Sequence, residues 1–456
     1  MAGCCRSAGK VHDRLGNYEE ALDFYERASE ASDDINLTAE VSVLIADILY
    51  TKGNIQESGR RMDELEEKLR GEKLRNDEIL IRMHCSRAWA HCVAGDIDTA
   101  MRTAERAVKL SQDLTDCTEN IRNHKLGFSY NTLATVHWAA GDFQKAGEYY
   151  SKALEIAREQ GMKREIAVTL GNLGLVSVKM GMYDQAVDYF ENQRVTSEEI
   201  GDKLTLASSI GESAMVFAST GKLAEAAGLL EKYIGLSEEM PAIHDNLIGN
   251  SLMGLITLVT SGADEAETIA QCTRNKAHET GFEREEAGAI SQLALIDTVR
   301  KEHGSALIRI ETAEKLARKV MSRSLLYDIL VVKVHIMLNN KITEGIPKVI
   351  EEAASLIEEM GAAARNGSVN FASAEYFLAM GRKAEALKEI REASEKFRQH
   401  RMKPALLASL ELRKLIEDSA EDGGIKEHFS LEDTIAELRE ETGIRTEPAS
   451  PALLLL

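Results

Sequence analysis

The sequence predicts an all-α protein: a right-handed α-α superhelix of about ten helical hairpins, finished by a C-terminal capping helix pair. Three observations predict it. Only five prolines occur in 456 residues, and a proline-poor chain rich in Ala, Leu, Glu, Lys and Ile favours long uninterrupted helices. Similar segments recur at a fixed offset, as GDFQKAGEYYSKA at 141–153 and GMYDQAVDYFENQ at 181–193 do. Within each segment the small and apolar residues step by four and then by three, the spacing of one face of a helix.

Each hairpin is justified in the same way. The register set at Gly141 continues through 181, 221, 261, 301, 341 and 381, seven units without slippage, and three earlier units have their turns at Gly16, Gly53 and Gly95. Their uneven steps place extra or missing residues in loops. Seven residues before the turn stands a small residue, Gly9, Ala46, Ala88, Ala134, Gly174, Ala214, Gly254, Ala294 and Ala374, with Val334 the exception. Small side chains there let two helices approach closely. The turn position is glycine in seven units, where a left-handed residue ends the first helix. Ser261, Lys301 and Lys341 replace it, so those turns are expected to be built differently. Five residues after the turn come Ala21, Ala100, Ala146, Ala186, Ala226, Ala266, Ala306 and Ala386, which open the packing face of the second helix. Apolar or aromatic residues such as Tyr25, Tyr150, Phe190, Leu230, Ile310 and Ile390 follow four later.

The expected organisation is a repeat array over 1–399, a helical cap over 400–446 and a disordered tail over 447–456. Pro404 precedes the first cap helix, and Ser430 with Asp433 resembles a capping box opening the second. The run Leu453–Leu456 reads as part of the disordered tail. At the other end Met1 already falls in the first turn of a first helix, with no capping segment before it.

The succession small residue, turn glycine, alanine, aromatic, alanine resembles the tetratricopeptide repeat superfamily, most fully in LATVHWAAGDFQKAGEYYSKALEIA (133–157) and LGNLGLVSVKMGMYDQAVDYFE (170–191). The resemblance covers roughly residues 2–399. Its 40-residue period looks like kinesin light chain, the Leu-Gly-Asn-repeat adaptors and the sensor arms of signal-transduction ATPases and cyclases. Two features depart from the family pattern: the tryptophan early in the first helix is absent from every unit, and the proline after the second helix is mostly missing, consistent with longer helices.

The resemblance implies a concave face lined by the first helix of each pair. Residues at the second, fifth, ninth and twelfth places of those helices share one stripe: Phe128, Asn131, Thr135 and Trp138 in the fourth unit, Arg82, Cys85, Trp89 and Cys92 in the third. Both tryptophans of the protein lie there, either as partner-binding groups in a groove or as core residues between helices. Asn172, beside the stripe in the fifth unit, occupies the position from which family members grip a peptide backbone through a side-chain amide. The candidate groove is therefore Arg82, Trp89, Phe128, Asn131, Thr135, Trp138 and Asn172. The paired lysines and asparagines of chaperone-tail binders are not matched by Arg6, Lys10 and Arg82.

Composition narrows the function. With 75 acidic against 55 basic residues and a formal charge of −20, attraction to nucleic acid or anionic lipid is disfavoured. No apolar run approaches the length of a membrane span, and Arg6, Lys10, His12, Asp13 and Arg14 break any secretory signal. A cytoplasmic location follows as the expectation, with reduced thiols. Cys85 and Cys92, beside His84 and His91, are seven residues apart, about 10 Å along a helix, too far to share a zinc ion. No phosphate loop, H-E-x-x-H or G-x-S-x-G elbow occurs. The expectation is a non-enzymatic protein-protein interaction scaffold without cofactor or metal, binding a peptide or helical segment of a partner. A sensing arm of a signalling ATPase, cyclase or regulator whose catalytic domains lie elsewhere is the alternative. An α/α-toroid hydrolase would need an aromatic-rich cleft, which 5% aromatic residues oppose.

Overall fold

The computed structural model describes all residues except 15–16, 52–54, 72–76, 94–95, 116, 241, 361–365, 419–424 and 446–451. Among the described residues every regular element is helical. The chain packs as two compact units, Met1–Val176 and Ser177–Leu456. In the first, the hairpins are α1 (Ala2–Arg14) with α2 (Tyr18–Glu30), α3 (Ile35–Thr51) with α4 (Ile55–Gly71), α5 (Asp77–Val93) with α6 (Ile97–Gln112), and α7 (Glu119–Ala139) with α8 (Phe143–Glu159). Next along the chain come α9 (Lys163–Lys179), which runs past Val176, and α10 (Tyr183–Ile200). The second unit continues with α11 (Lys203–Ser219) and α12 (Leu223–Glu239), α13 (Ile243–Thr260) and α14 (Ala263–Thr280), and α15 (Glu283–Val299) and α16 (His303–Lys319). The last two hairpins are α17 (Arg323–Asn339) with α18 (Ile346–Met360) and α19 (Asn366–Ala379) with α20 (Lys383–Gln399). Then follow α21 (Lys403–Asp418), α22 (Ile425–Thr442) and a terminal turn of helix, α23 (Ala452–Leu455). The ten hairpins stand at the expected repeats.

The small residues do what their size requires. Ala46, Ala88, Ala134, Ala214, Ala294 and Ala374 are fully enclosed, as are Ala21, Ala100, Ala146, Ala186, Ala226, Ala266 and Ala386. A Cβ placed on Gly9 would stand 2.5 Å from Cε1 of buried Tyr25, so this crossing of α1 and α2 admits no side chain. The 4-then-3 spacing thus becomes a seam of close helix approach with aromatic and branched residues filling the volume beside it.

The turns correct one expectation. Gly141, Gly181, Gly221 and Gly381 take positive φ as predicted, but Lys301 and Lys341 do so too, at φ 64° and 58°. The closing hydrogen bond is the same for both kinds of residue: the Asp142 amide donates to the His137 carbonyl at 2.9 Å, the Glu302 amide to Asp297 at 2.8 Å and the Ile342 amide to Met337 at 2.9 Å. Satisfying orphan carbonyls at the helix end therefore outweighs the left-handed strain of a lysine. Only the Ser261 turn is built differently, its positive φ moved one residue on to Gly262. Gly16, Gly53 and Gly95 lie outside the described residues.

First helices of neighbouring hairpins pack on one another, α1 on α3, α3 on α5 and α5 on α7 in the first unit, and each of α11, α13, α15, α17 and α19 on the next through to α21 in the second. Side chains about one repeat apart stitch this layer. His244 meets Glu285 at 3.1 Å, the Gln292 amide donates to the Ser251 carbonyl at 2.8 Å, and His335 meets Glu375 at 2.6 Å.

The end of the chain departs from expectation. Ser430 lies inside α22 rather than at its start. Ala452–Leu456, expected to be disordered, is packed into the second unit: Ala452, Leu453, Leu454 and Leu456 are buried within its main apolar cluster. The end of the cap reaches back to the start of the same unit, with Arg401 paired to Asp184 at 2.8 Å and the Arg445 amide donating to the Val259 carbonyl at 2.9 Å.

Candidate functional site

All seven candidate groove residues belong to the first unit, on α5, α7 and α9. On α7, Phe128, Asn131, Thr135 and Trp138 follow steps of three, four and three, so they rise along one side of the helix. The alternative of tryptophans buried between helices is not what the structure shows: Trp89 is 40% exposed, Trp138 37% and Phe128 46%. Large apolar groups that stay this accessible are unusual enough on a helical surface to mark an interaction face.

The polar members are held by the layer beneath. Asn172 Nδ2 donates to Asn131 Oδ1 at 3.2 Å, joining α9 to α7. The Thr135 hydroxyl lies 2.9 Å from the Asn131 carbonyl and 2.9 Å from the Tyr150 hydroxyl. Tyr150, on the second helix, is buried, and that desolvation pushes its phenol up to about 12, so it stays a neutral donor. Arg82 lies 3.9 Å from Asp47. Desolvation pushes the Asp47 carboxyl up to about 6, opposed by the Arg82 guanidinium.

The stripe on α5 is less uniform than its spacing suggests. Cys85, between Arg82 and Trp89, is buried, with its sulfur 3.7 Å from the Ser129 hydroxyl, and burial pushes its thiol up to about 11. It is an inert packing thiol. Cys92 is partly exposed, its thiol also raised by burial. Among the described residues no group of three or more His, Cys, Asp or Glu side chains is placed to hold a metal ion, and no helix is long and apolar enough to cross a membrane.

Two members of the face were missed. Ile121 stands seven residues before Phe128 on α7 and is exposed, and Val168, the 40-residue counterpart of Phe128, is exposed on α9 one turn before Asn172. The seven-residue step and the repeat offset were both available to find them. Asp47 and Tyr150 were missed for another reason: each acts from a neighbouring helix, and partner identity across helices is set by packing.

The comparisons with known proteins agree with this architecture. Tetratricopeptide repeat family models match residues 125–192 and 5–37. No curated protein matches the chain. Among solved structures, the apo form of the quorum sensor NprR from B. thuringiensis is similar with a TM-score of 0.57 and 15% identity, covering 76% of this chain and 99% of that one. A Rap protein complexed with competence and sporulation factor has a TM-score of 0.53 and 12% identity, covering 88% and 99%. A signal transduction ATPase with numerous domains, carrying a tetratricopeptide repeat sensor and coming from Pyrococcus horikoshii, has a TM-score of 0.54 and 15% identity over 72% of this chain. The chain spans about half, 49%, of that protein's length. At such identities the likeness is one of fold. The chain is a member of the tetratricopeptide repeat superfamily.

Proposed function

We propose that this protein is a non-enzymatic interaction scaffold that holds a peptide or helical segment of a partner protein against the first-helix face of its N-terminal unit. One observation carries the reading: Trp89, Phe128 and Trp138 are exposed on first helices beside the amide pair Asn131–Asn172. Exposed aromatics supply contact area at low entropic cost, and a side-chain amide offers a donor and an acceptor to a peptide backbone. Asn172 spends one donor on Asn131, leaving its carbonyl for the partner. The charge of −20 favours a protein partner over nucleic acid or a lipid surface, and a cytoplasmic setting fits the reduced cysteines.

The test is a peptide library displayed against the full chain, followed by affinities for the selected peptides. Trp89→Ala or Trp138→Ala should weaken binding at least tenfold, about 1.4 kcal/mol, with the helical signal unchanged. Selected peptides that bind the double variant as tightly as the parent would overturn the reading.

A second reading is a ligand-sensing arm of a signal-transduction ATPase, cyclase or regulator. The fold likeness to a sensor-bearing ATPase of about twice the length supports it, as do the titles of two neighbours, a quorum sensor and a protein bound to a signalling factor.

A further inference from the structure

The last residues of the chain sit where a ligand of a repeat array would sit. Ala452, Leu453, Leu454 and Leu456 are each less than 10% exposed. The turn of helix they form packs on α13 and α21, first-layer helices four hairpins apart in the array. At its end the Ser219 hydroxyl, the last residue of α11, lies 2.8 Å from the terminal Leu456 oxygen and 3.0 Å from the Met215 carbonyl. The receiving surface is apolar: α13 carries Leu247, Leu255, Ile256, Leu258 and Val259 buried on more than one side of the helix. A helix apolar all round must be covered on its inner side as well as its outer one. On α7 of the first unit, by contrast, the corresponding face leaves aromatic groups open.

The tail belongs to no repeat. Its four leucines follow no 40-residue register, so nothing in the array's own packing calls for them. We propose that the surface formed by α11, α13 and α21 is a binding site for a leucine-rich segment ending in a free carboxylate, and that this chain's own Ala452–Leu456 is its resident occupant. Apolar side chains supply the affinity and the Ser219 hydroxyl reads the chain end. A tethered occupant holds the site at high effective concentration, so a partner segment of the same kind enters only by displacing it.

The proposal is independent of the aromatic face of the first unit and is tested on its own. A labelled hexapeptide of sequence PALLLL with a free carboxylate is titrated into the full chain and into a chain ending at Arg445. The shortened chain should bind saturably, the full chain at least tenfold more weakly, and the C-terminal amide of the peptide at least fivefold more weakly than the acid. A shortened chain that keeps its helical signal and binds nothing would overturn the proposal. A shortened chain that loses its fold moves the decision to full-length Leu454→Asp. Carboxypeptidase should remove terminal leucines from that variant at least tenfold faster than from the parent, with the helical signal retained. Equal trimming of variant and parent, or unfolding of the variant, makes the tail unprotected or an integral part of the core, and either result overturns it. A dimer that the peptide dissociates would assign the occupant to a second copy and overturn the intramolecular assignment.

Discussion

Glu212 offers the sharpest physical test of the second unit. It sits on α11 with Oε2 buried and without a hydrogen-bond partner, and burial alone pushes its carboxyl up to about 8. No cation offsets that shift; the neighbouring ionisable group coupled to it is Tyr233, itself raised by burial and by Asp245. The folded pKa lies above the unfolded one, so the folded state holds the proton more tightly. The associated stability is complete below the unfolded pKa near 4.5 and is lost as pH rises through the folded value near 8. At about 1.4 kcal/mol per unit, three to four units set a ceiling of roughly 4–5 kcal/mol, which water penetration will reduce. Glu212→Gln removes the titration and keeps the shape. Urea unfolding of parent and variant from pH 5 to pH 9 should give equal midpoints at pH 5 and a variant more stable by at least about 1 kcal/mol at pH 8.5. A difference that does not change with pH, or a parent that gains on the variant as pH rises, would refute the reasoning.

Other consequences are equally direct. Gly367→Ala places a Cβ 2.5 Å from Cε1 of the fully enclosed Phe397, and should cost about 1–3 kcal/mol in urea unfolding; no loss would mean that the crossing of α19 and α20 is looser than described. Lys301→Gly relieves a left-handed non-glycine residue and should raise the melting midpoint, with a gain of about 0.5–1 kcal/mol; a lower midpoint would contradict the turn geometry. Asp142→Ala removes the side chain that accepts the Lys145 amide at 3.2 Å at the start of α8, and calorimetry should show a loss of about 1 kcal/mol.

The hairpins were legible in the sequence because close helix approach imposes a size limit that repeats every 40 residues, visible at Ala134, Gly174 and Ala214 alike. Turn chemistry was only half legible. Glycine announces a left-handed residue, but Lys301 and Lys341 adopt the same conformation because the carbonyls of Asp297 and Met337 need donors, a demand that residue type does not display. The aromatic face was legible in register but not in burial: helical spacing groups Cys85 with Trp89, and it is the crossing of α7, which brings Ser129 up to Cys85, that takes the cysteine inside. The tail was read as disordered because four leucines after two prolines carry no period. Their place is decided by an uncovered surface on α13, some 200 residues earlier in the chain, and contacts of that separation leave no local mark.

The claim that the first-helix layer of the N-terminal unit is where a partner binds is tested most directly by site-specific photo-crosslinking. A photoreactive phenylalanine analogue is placed at Phe128 on α7 or at exposed Glu155 on α8, and a library-selected peptide is added. The account predicts crosslinks from position 128 and not from 155, abolished by Trp138→Ala. Crosslinks from 155 alone, or from both positions equally, would contradict it.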